Sequence, residues 1–289
     1  MDLSKFLCCP DCRGDLSDAH SHIFCVICGK KFPLKDGVPI FIDRGALPSH
    51  LRGQIKYFED EKITANEEHH LEAWQRKYLE RFLDNNPSVN GKLIADCGTG
   101  SAYMAIELAK RGGYVIATDL SLRSAIRLRR IADHLGLGDR IMSVCSTAES
   151  LPIRNNCVSA FISNAVLEHI QNELMAISEM GRVTKEAAHL MLSVPLAYYL
   201  LNPLFIPLNW VHDKRIGHLR RYDEELINRK FSDWLIKRTY YTGHTIKVVK
   251  TIVNFIHPIF DIEHIEAQDD SLCAEKQYAS NIICFLAKK

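Results

Sequence analysis

The chain reads as an α/β protein: an open, mostly parallel sheet preceded by a small cysteine-bearing module. Three observations carry this reading. A short apolar strand at 92–96 runs straight into a glycine-rich turn and then a helical pattern, Cys97-Gly98-Thr99-Gly100-Ser101-Ala102 standing between them. A second strand at 114–118 follows and ends in an acid, Asp119. Five of the ten cysteines crowd into the first 28 residues, four of them as two Cys-x-x-Cys pairs.

Size and composition agree with this reading. With 289 residues, 47% of them apolar and 25% charged, the chain can bury one core of about 200 residues and carry a smaller module. Disordered and collagen-like classes are excluded. Lys plus Arg number 36 against 35 Asp plus Glu, which provides no overall field for steering onto a polyanion, so a nucleic-acid coat is not expected. The opening residues MDLSKF lack a basic region followed by an apolar run, so the cysteines read as reduced and the expected location is the cytoplasm. Residues 190–211 contain no charge over 22 positions, but Pro195, Pro203 and Pro207 would break a membrane-spanning helix, and the first few residues read better as a buried strand.

Taken in order, the first module spans 1–43. Cys9 and Cys12 form one knuckle and Cys25 and Cys28 the other, 12 residues apart, so two tight turns can present four thiolates to one ion. A closed four-thiolate shell suits structural Zn²⁺, which would staple a segment too short to build its own core. The alternative is four free buried thiols. Asp36-Gly37 between apolar flanks signals a hairpin turn. The stretch C-P-x-C, C-x-x-C-G, F-P-L-x-D-G-V-P-I resembles the small zinc-ribbon proteins that bind and activate methyltransferases of the translation machinery; the resemblance implies a docking or substrate-presenting role. From 44 to 89 the pattern is helical, with Leu71, Trp74, Tyr78, Leu79, Phe82 and Leu83 on one face and a stop at Asp84-Asn85-Asn86-Pro87. This connector is expected to pack on the last unit, 90–289, and to cover its ligand.

In that unit the glycine turn lets a ligand touch backbone, and Asp119 can accept hydrogen bonds from both ribose hydroxyls or cap the following helix. Asp96 stands two residues ahead of Gly98, where a carboxylate would repel a pyrophosphate and suit a cationic ligand. Here the chain resembles the class I S-adenosylmethionine-dependent methyltransferases. Ala148-Glu149-Ser150-Leu151-Pro152-Ile153 is similar to that family's A-E-x-L-P-F segment, and Val166-Leu167-Glu168-His169-Ile170 to its v-L-E-H-i. The resemblance implies a Rossmann-like seven-stranded sheet, closed by a final strand at 281–287, with S-adenosylmethionine as cofactor. It implies that Asp96, Gly98 and Gly100 line the methionine part, Asp119 holds the ribose, Leu120 packs on adenine, and Ala148 and Glu149 border the ring, with Asn164 completing the set. The chain departs from the family at Thr147, where an Asp or Asn usually contacts the adenine amine, and at Ser159. It departs also at 184–188, which lacks a glycine pair, and at Ala102, which replaces a third glycine and is tolerable if its backbone is helical.

Methyl transfer from a sulfonium needs chiefly an acceptor held in line, plus a base where the acceptor is acidic. His169, and His218 with Tyr222 in Gly217-His218-Leu219-Arg220-Arg221-Tyr222, are the candidate catalytic residues, each with a structural alternative. Arg123, Arg127, Arg129 and Arg130 read as a solvated helix face or a basic docking patch. The apolar stretch 196–211 is read either as packing with a second apolar helix at 246–260, or as a lid, an acceptor pocket or a peripheral membrane contact. The expected partners are therefore S-adenosylmethionine and a small-molecule, glycan or lipid-linked, isoprenoid-like acceptor. The rivals are an RNA methyltransferase, which would need a shared basic surface, and a non-catalytic adaptor that binds protein through the ribbon.

Overall fold

A computed structural model describes residues 2–19, 21–43, 45, 47–60, 71–243, 271 and 273–289. The apolar helix expected at 246–260 lies outside these.

Four short strands, β1 (Leu16–Asp18), β2 (His22–Cys25), β3 (Lys31–Lys35) and β4 (Val38–Pro39), pair antiparallel in sequence order. Asp36 and Gly37 join β3 to β4 with φ of +50° and +74°, the two-residue arrangement of a type I′ hairpin, and Lys35 faces Val38 across it. Two helices follow, α1 (Ser49–Asp60) and α2 (Ala73–Asn85); α2 buries Tyr78, Leu79 and Phe82 and stops at Asn86, just before Pro87.

The remaining strands are β5 (Leu93–Cys97), β6 (Tyr114–Asp119), β7 (Ile141–Cys145), β8 (Val158–Asn164), β9 (Thr184–Pro195), β10 (Trp234–Thr242) and β11 (Asn281–Lys288). They form one sheet in the order β10-β11-β9-β8-β5-β6-β7, with only β11 running against its neighbours. The final strand completes the sheet from within, between β9 and β10, and the edge belongs to β10, a strand the sequence pattern did not single out. Helices α3 (Tyr103–Lys110), α4 (Leu122–His134) and α5 (Glu173–Val183) make the parallel crossovers. The strand order reverses between β5 and β8, so a crevice opens there beyond their carboxyl ends.

Alternation along β5 explains the layering. Leu93, Ala95 and Cys97 join the core that contains α5 and the four-stranded module, whereas Ile94 joins the core of α2, α3 and α4. The chain after β9 crosses through two 3₁₀ turns into α6 (Ile206–Ile216), which ends on Gly217 at φ +77°, and reaches β10 through α7 (Glu224–Lys230). No helix among the described residues is long and apolar enough to cross a membrane. Tyr199, Leu204, Leu208, Trp210 and Val211 of the apolar stretch are 43–79% exposed.

Candidate functional site

After β5 the chain turns through Gly98 (φ +73°) and Gly100 (φ +48°) into α3. The Gly98 N–H donates to the Thr118 carbonyl at 2.7 Å. A Cβ on Gly98 would stand 2.3 Å from Val166 Cγ2, so the glycine lets the turn slide under Val166. A Cβ on Gly100 would meet nothing nearer than the Gly98 carbonyl at 4.0 Å, since this side of the turn faces open space. Asp119 is locked onto the turn: Oδ2 accepts from the Gly100 N–H at 2.9 Å and Oδ1 from the Ser121 N–H at 2.8 Å. The side-chain cap of α4 is Ser121, whose hydroxyl accepts from the Ser124 N–H, and not Asp119. Ala102 departs from the helical backbone its sequence position required. It takes φ +67° and ψ 7° and serves as the N-cap of α3, and Ala187, in the segment without the glycine pair, is also left-handed at φ +57°.

The turn opens on a cavity of about 610 Å³ in the crevice at the strand-order reversal. Gly98, Gly100, Asp119, Leu120, Ala148, Glu149, Asn164 and His169 all line it. Asp96, His218 and Tyr222 do not. Asp96 follows the strand alternation onto the α3 face, where burial and then the nearby Asp119 charge push its carboxyl up to about 7. Tyr222 is fully buried and donates its hydroxyl to Glu173 Oε2 at 2.7 Å, which makes it a core residue rather than one that reaches a ligand. His218 stands behind His169, their rings 4.8 Å apart. Burial also raises the Glu149 carboxyl.

Several wall residues gave no sequence signal. Gln54 from α1 and Gln75 from α2 close one side, Gln75 donating to the Ser101 hydroxyl at 3.3 Å. Tyr103 accepts from Asn164 Nδ2 at 3.2 Å. Arg127, read as part of a solvated face, instead lines the cavity, with Nε and Nη1 buried and without a hydrogen-bond partner among the described residues. Ser146 Oγ in the same wall is likewise buried without one. These orphaned groups suit a ligand with polar edges, and the bare backbone at Gly100 admits it closely; the wall therefore fits a nucleoside cofactor.

Behind the wall, Glu168, His169 and His218 converge, each with a ligand-type atom within 4.8 Å of the others. Asp213 is the hub next to them. It accepts from His218 Nδ1 at 2.8 Å, from Arg221 Nε at 2.6 Å and from the Tyr198 hydroxyl. Burial alone would raise its pKa, but these donors together hold it well below the usual carboxylate range. Burial pushes Glu168 up to about 8 and, with the neighbouring His218, pushes His169 down to about 4. Arg220 clasps the segment onto the end of β8, donating to the carbonyls of Leu167, Ile170 and Gln171.

The four cysteines Cys9, Cys12, Cys25 and Cys28 gather with their sulfurs within 4.8 Å of one another; Cys9 to Cys28 is 3.8 Å and Cys12 to Cys25 is 3.4 Å. Zinc–sulfur bonds of about 2.3 Å in a tetrahedron put sulfurs about 3.8 Å apart, so the set fits a zinc ion. The Cys28 N–H lies over Cys25 Sγ at 3.5 Å and lowers that thiol to about 7, whereas burial raises Cys9 to about 12. The first knuckle rests on the segment that follows the cavity-lining Glu149. The Cys8 N–H donates to the Pro152 carbonyl at 3.0 Å, and Arg13 reaches the Leu151 carbonyl at 3.1 Å and Glu179 at 2.9 Å.

Residues 95–192 match the model of a methyltransferase-domain family. Over 126 residues the chain is 30% identical to malonyl-(acyl-carrier protein) O-methyltransferase of Methylovorus sp., covering 41% of this chain and 43% of that protein. Over 120 residues it is 30% identical to demethylmenaquinone methyltransferase of Corynebacterium efficiens, covering 41% and 46%. The chain thus spans less than half the length of these curated relatives. Among solved structures, geranyl diphosphate C-methyltransferase from Streptomyces coelicolor, in complex with Mg²⁺, geranyl-S-thiolodiphosphate and S-adenosyl-L-homocysteine, superimposes with a TM-score of 0.61 at 12% identity, over 84% of this chain and 99% of that one. At that identity the likeness is one of fold.

Proposed function

This chain carries a class I S-adenosylmethionine-dependent methyltransferase domain, and we propose from that premise that it moves a methyl group from S-adenosylmethionine to a small lipid-linked, isoprenoid-like acceptor. The single observation that carries the reading is Asp119 locked onto the Gly98–Gly100 turn at the mouth of the cavity. The bound cofactor supplies an electrophilic methyl on a positive sulfur; the chain's own residues position its surroundings. Gly98 and Gly100 leave their backbone bare to the methionine part, Asp119 takes the ribose hydroxyls, and Leu120, Ala148 and Glu149 border the adenine. Asn164, tied to Tyr103, belongs to the cofactor wall, and the acceptor side is assigned to His169, which burial keeps neutral and able to share a hydrogen bond.

Residues 1–43, 44–89 and 90–289 act as ribbon, cover and transferase in this reading, with structural zinc in the ribbon. The acceptor class is supported by the exposed apolar side chains of 199–211, beside Lys214 and Arg215, which suit a cytoplasmic protein touching a membrane surface from one side. The even balance of 36 basic to 35 acidic residues supports a small acceptor over RNA.

Calorimetry with S-adenosylhomocysteine tests the cofactor assignment. Micromolar binding that weakens about 10-fold or more in Asp119→Ala is expected, since the substitution leaves ribose hydroxyls unpaired; absence of binding at millimolar ligand overturns the reading. Flotation with vesicles of phosphatidylcholine and phosphatidylglycerol tests the surface, and loss of binding in Trp210→Ser with Leu204→Ser is expected.

A further inference from the structure

We propose that Glu168, His169 and His218 form a second metal site behind the cavity wall, reached through His169, for a divalent d-block ion of the zinc type. It is separate from the four cysteines, and its open position takes an oxygen of the acceptor. Two imidazoles and a carboxylate are the ligand set such ions choose. The three already stand together: His218 Nε2 is 3.6 Å from Glu168 Oε1, and all the ligand-type atoms lie within 4.8 Å. Around an ion with bonds of about 2.0–2.2 Å these atoms would close by about 1 Å, a matter of small side-chain rotations.

Two further observations point to a cation. Glu168 is 1% exposed, and its Oε2 has no hydrogen-bond partner among the described residues, so a buried acceptor awaits a positive partner. Asp213 holds His218 Nδ1 at 2.8 Å, which keeps the proton on that nitrogen and leaves the Nε2 lone pair toward Glu168. A carboxylate behind a histidine is the arrangement that orients metal-bound imidazoles, and Arg221 anchors this one. His169 lines the cavity, so the fourth position opens there. Gln54 Nε2, held at 3.4 Å by the carbonyls of His169 and Gly217, lies 3.0 Å from His169 Nδ1 and fixes the ring from α1. Three protein ligands and one open position are the composition of a working site rather than a structural one. The acceptor role rests on the methyl-transfer reading; the metal site itself does not.

Metal content of the full chain tests this. With zinc in slight excess followed by removal of free ion, two ions per chain are expected, and X-ray absorption should show one sulfur shell and one nitrogen/oxygen shell. Glu168→Gln and His218→Ala, each checked for a native circular dichroism spectrum, should each retain only the sulfur-bound ion. Cobalt added to zinc-filled protein should give visible bands of a nitrogen/oxygen-ligated ion that both variants lose. One ion per chain with sulfur ligands alone, in folded wild-type protein, overturns the proposal. S-adenosylhomocysteine binding, measured on the same samples, reports on the methyl-transfer reading independently.

Discussion

Ser150 donates its hydroxyl to the carbonyl of Pro10 at 3.0 Å. Pro10 lies inside the first cysteine knuckle and Ser150 is the residue after the cavity-lining Glu149, so the two modules meet one residue beyond the cavity wall. Removing the zinc proposed for the ribbon should therefore weaken the proposed cofactor binding as well as stability. For chelator-extracted protein we expect a 3- to 10-fold loss of S-adenosylhomocysteine affinity, the equivalent of about one lost hydrogen bond. Arg13→Ala, which keeps all four cysteines but releases the Leu151 carbonyl and Glu179, should show part of the same loss. Calorimetric affinities that match the metal-loaded wild type would disprove the coupling.

Ala102→Gly should stabilise the protein. A left-handed conformation costs an L-residue about 1–2 kcal/mol, and glycine relieves it while returning about 0.4–1 kcal/mol as unfolded-chain entropy. The net gain should lie between about 0 and 1.6 kcal/mol by urea denaturation. A destabilised variant would count against a left-handed residue 102.

Asp96 should make stability fall with rising pH. Its carboxyl moves from 3.8 to about 7 on folding, so between those values the unfolded chain releases a proton that the folded chain retains. The contribution is full below pH 4, declines by as much as about 1.4 kcal/mol per pH unit, and is spent above pH 7. Denaturation across pH 4–8 should show a shallower decline in Asp96→Asn than in wild type; parallel profiles would contradict the assignment.

Tyr222→Phe separates a core tyrosine from a catalytic one. Loss of the hydroxyl leaves Glu173 short of a buried donor and should cost about 1–3 kcal/mol of stability. Methyl transfer per folded molecule should remain within about two-fold of wild type. A hundred-fold fall in rate with stability intact would restore a direct chemical role.

The parallel half of the fold was legible because β5 and β6 are short, apolar and followed at once by a turn or an acid. The edge strand β10 was not. Its run of Lys237, Arg238 and Thr239 among Trp234, Leu235 and Ile236 shows neither alternation nor an apolar core, since edge strands have one unburied side. In the site, residues adjacent to the glycine turn could be placed by local spacing, and Gly98, Gly100 and Asp119 lie on the cavity. Asp96 could not, because strand alternation turns it to the opposite face. Asp213 escaped notice because a single acid in the charged run His212-Asp213-Lys214-Arg215 signals nothing until Tyr198, His218 and Arg221 fold around it. Gln54 and Gln75 arrive from helices far earlier in the chain, a closeness that no local pattern encodes.

The insertion of β11 between β9 and β10 sets an order on biosynthesis. These two strands leave the ribosome before the one that pairs with both, so each carries a raw, hydrogen-bond-hungry border for as long as translation continues. A nascent chain lacking residues 281–288 is thereby a ready template for intermolecular pairing, and chaperone capture in that interval should govern the yield of folded protein.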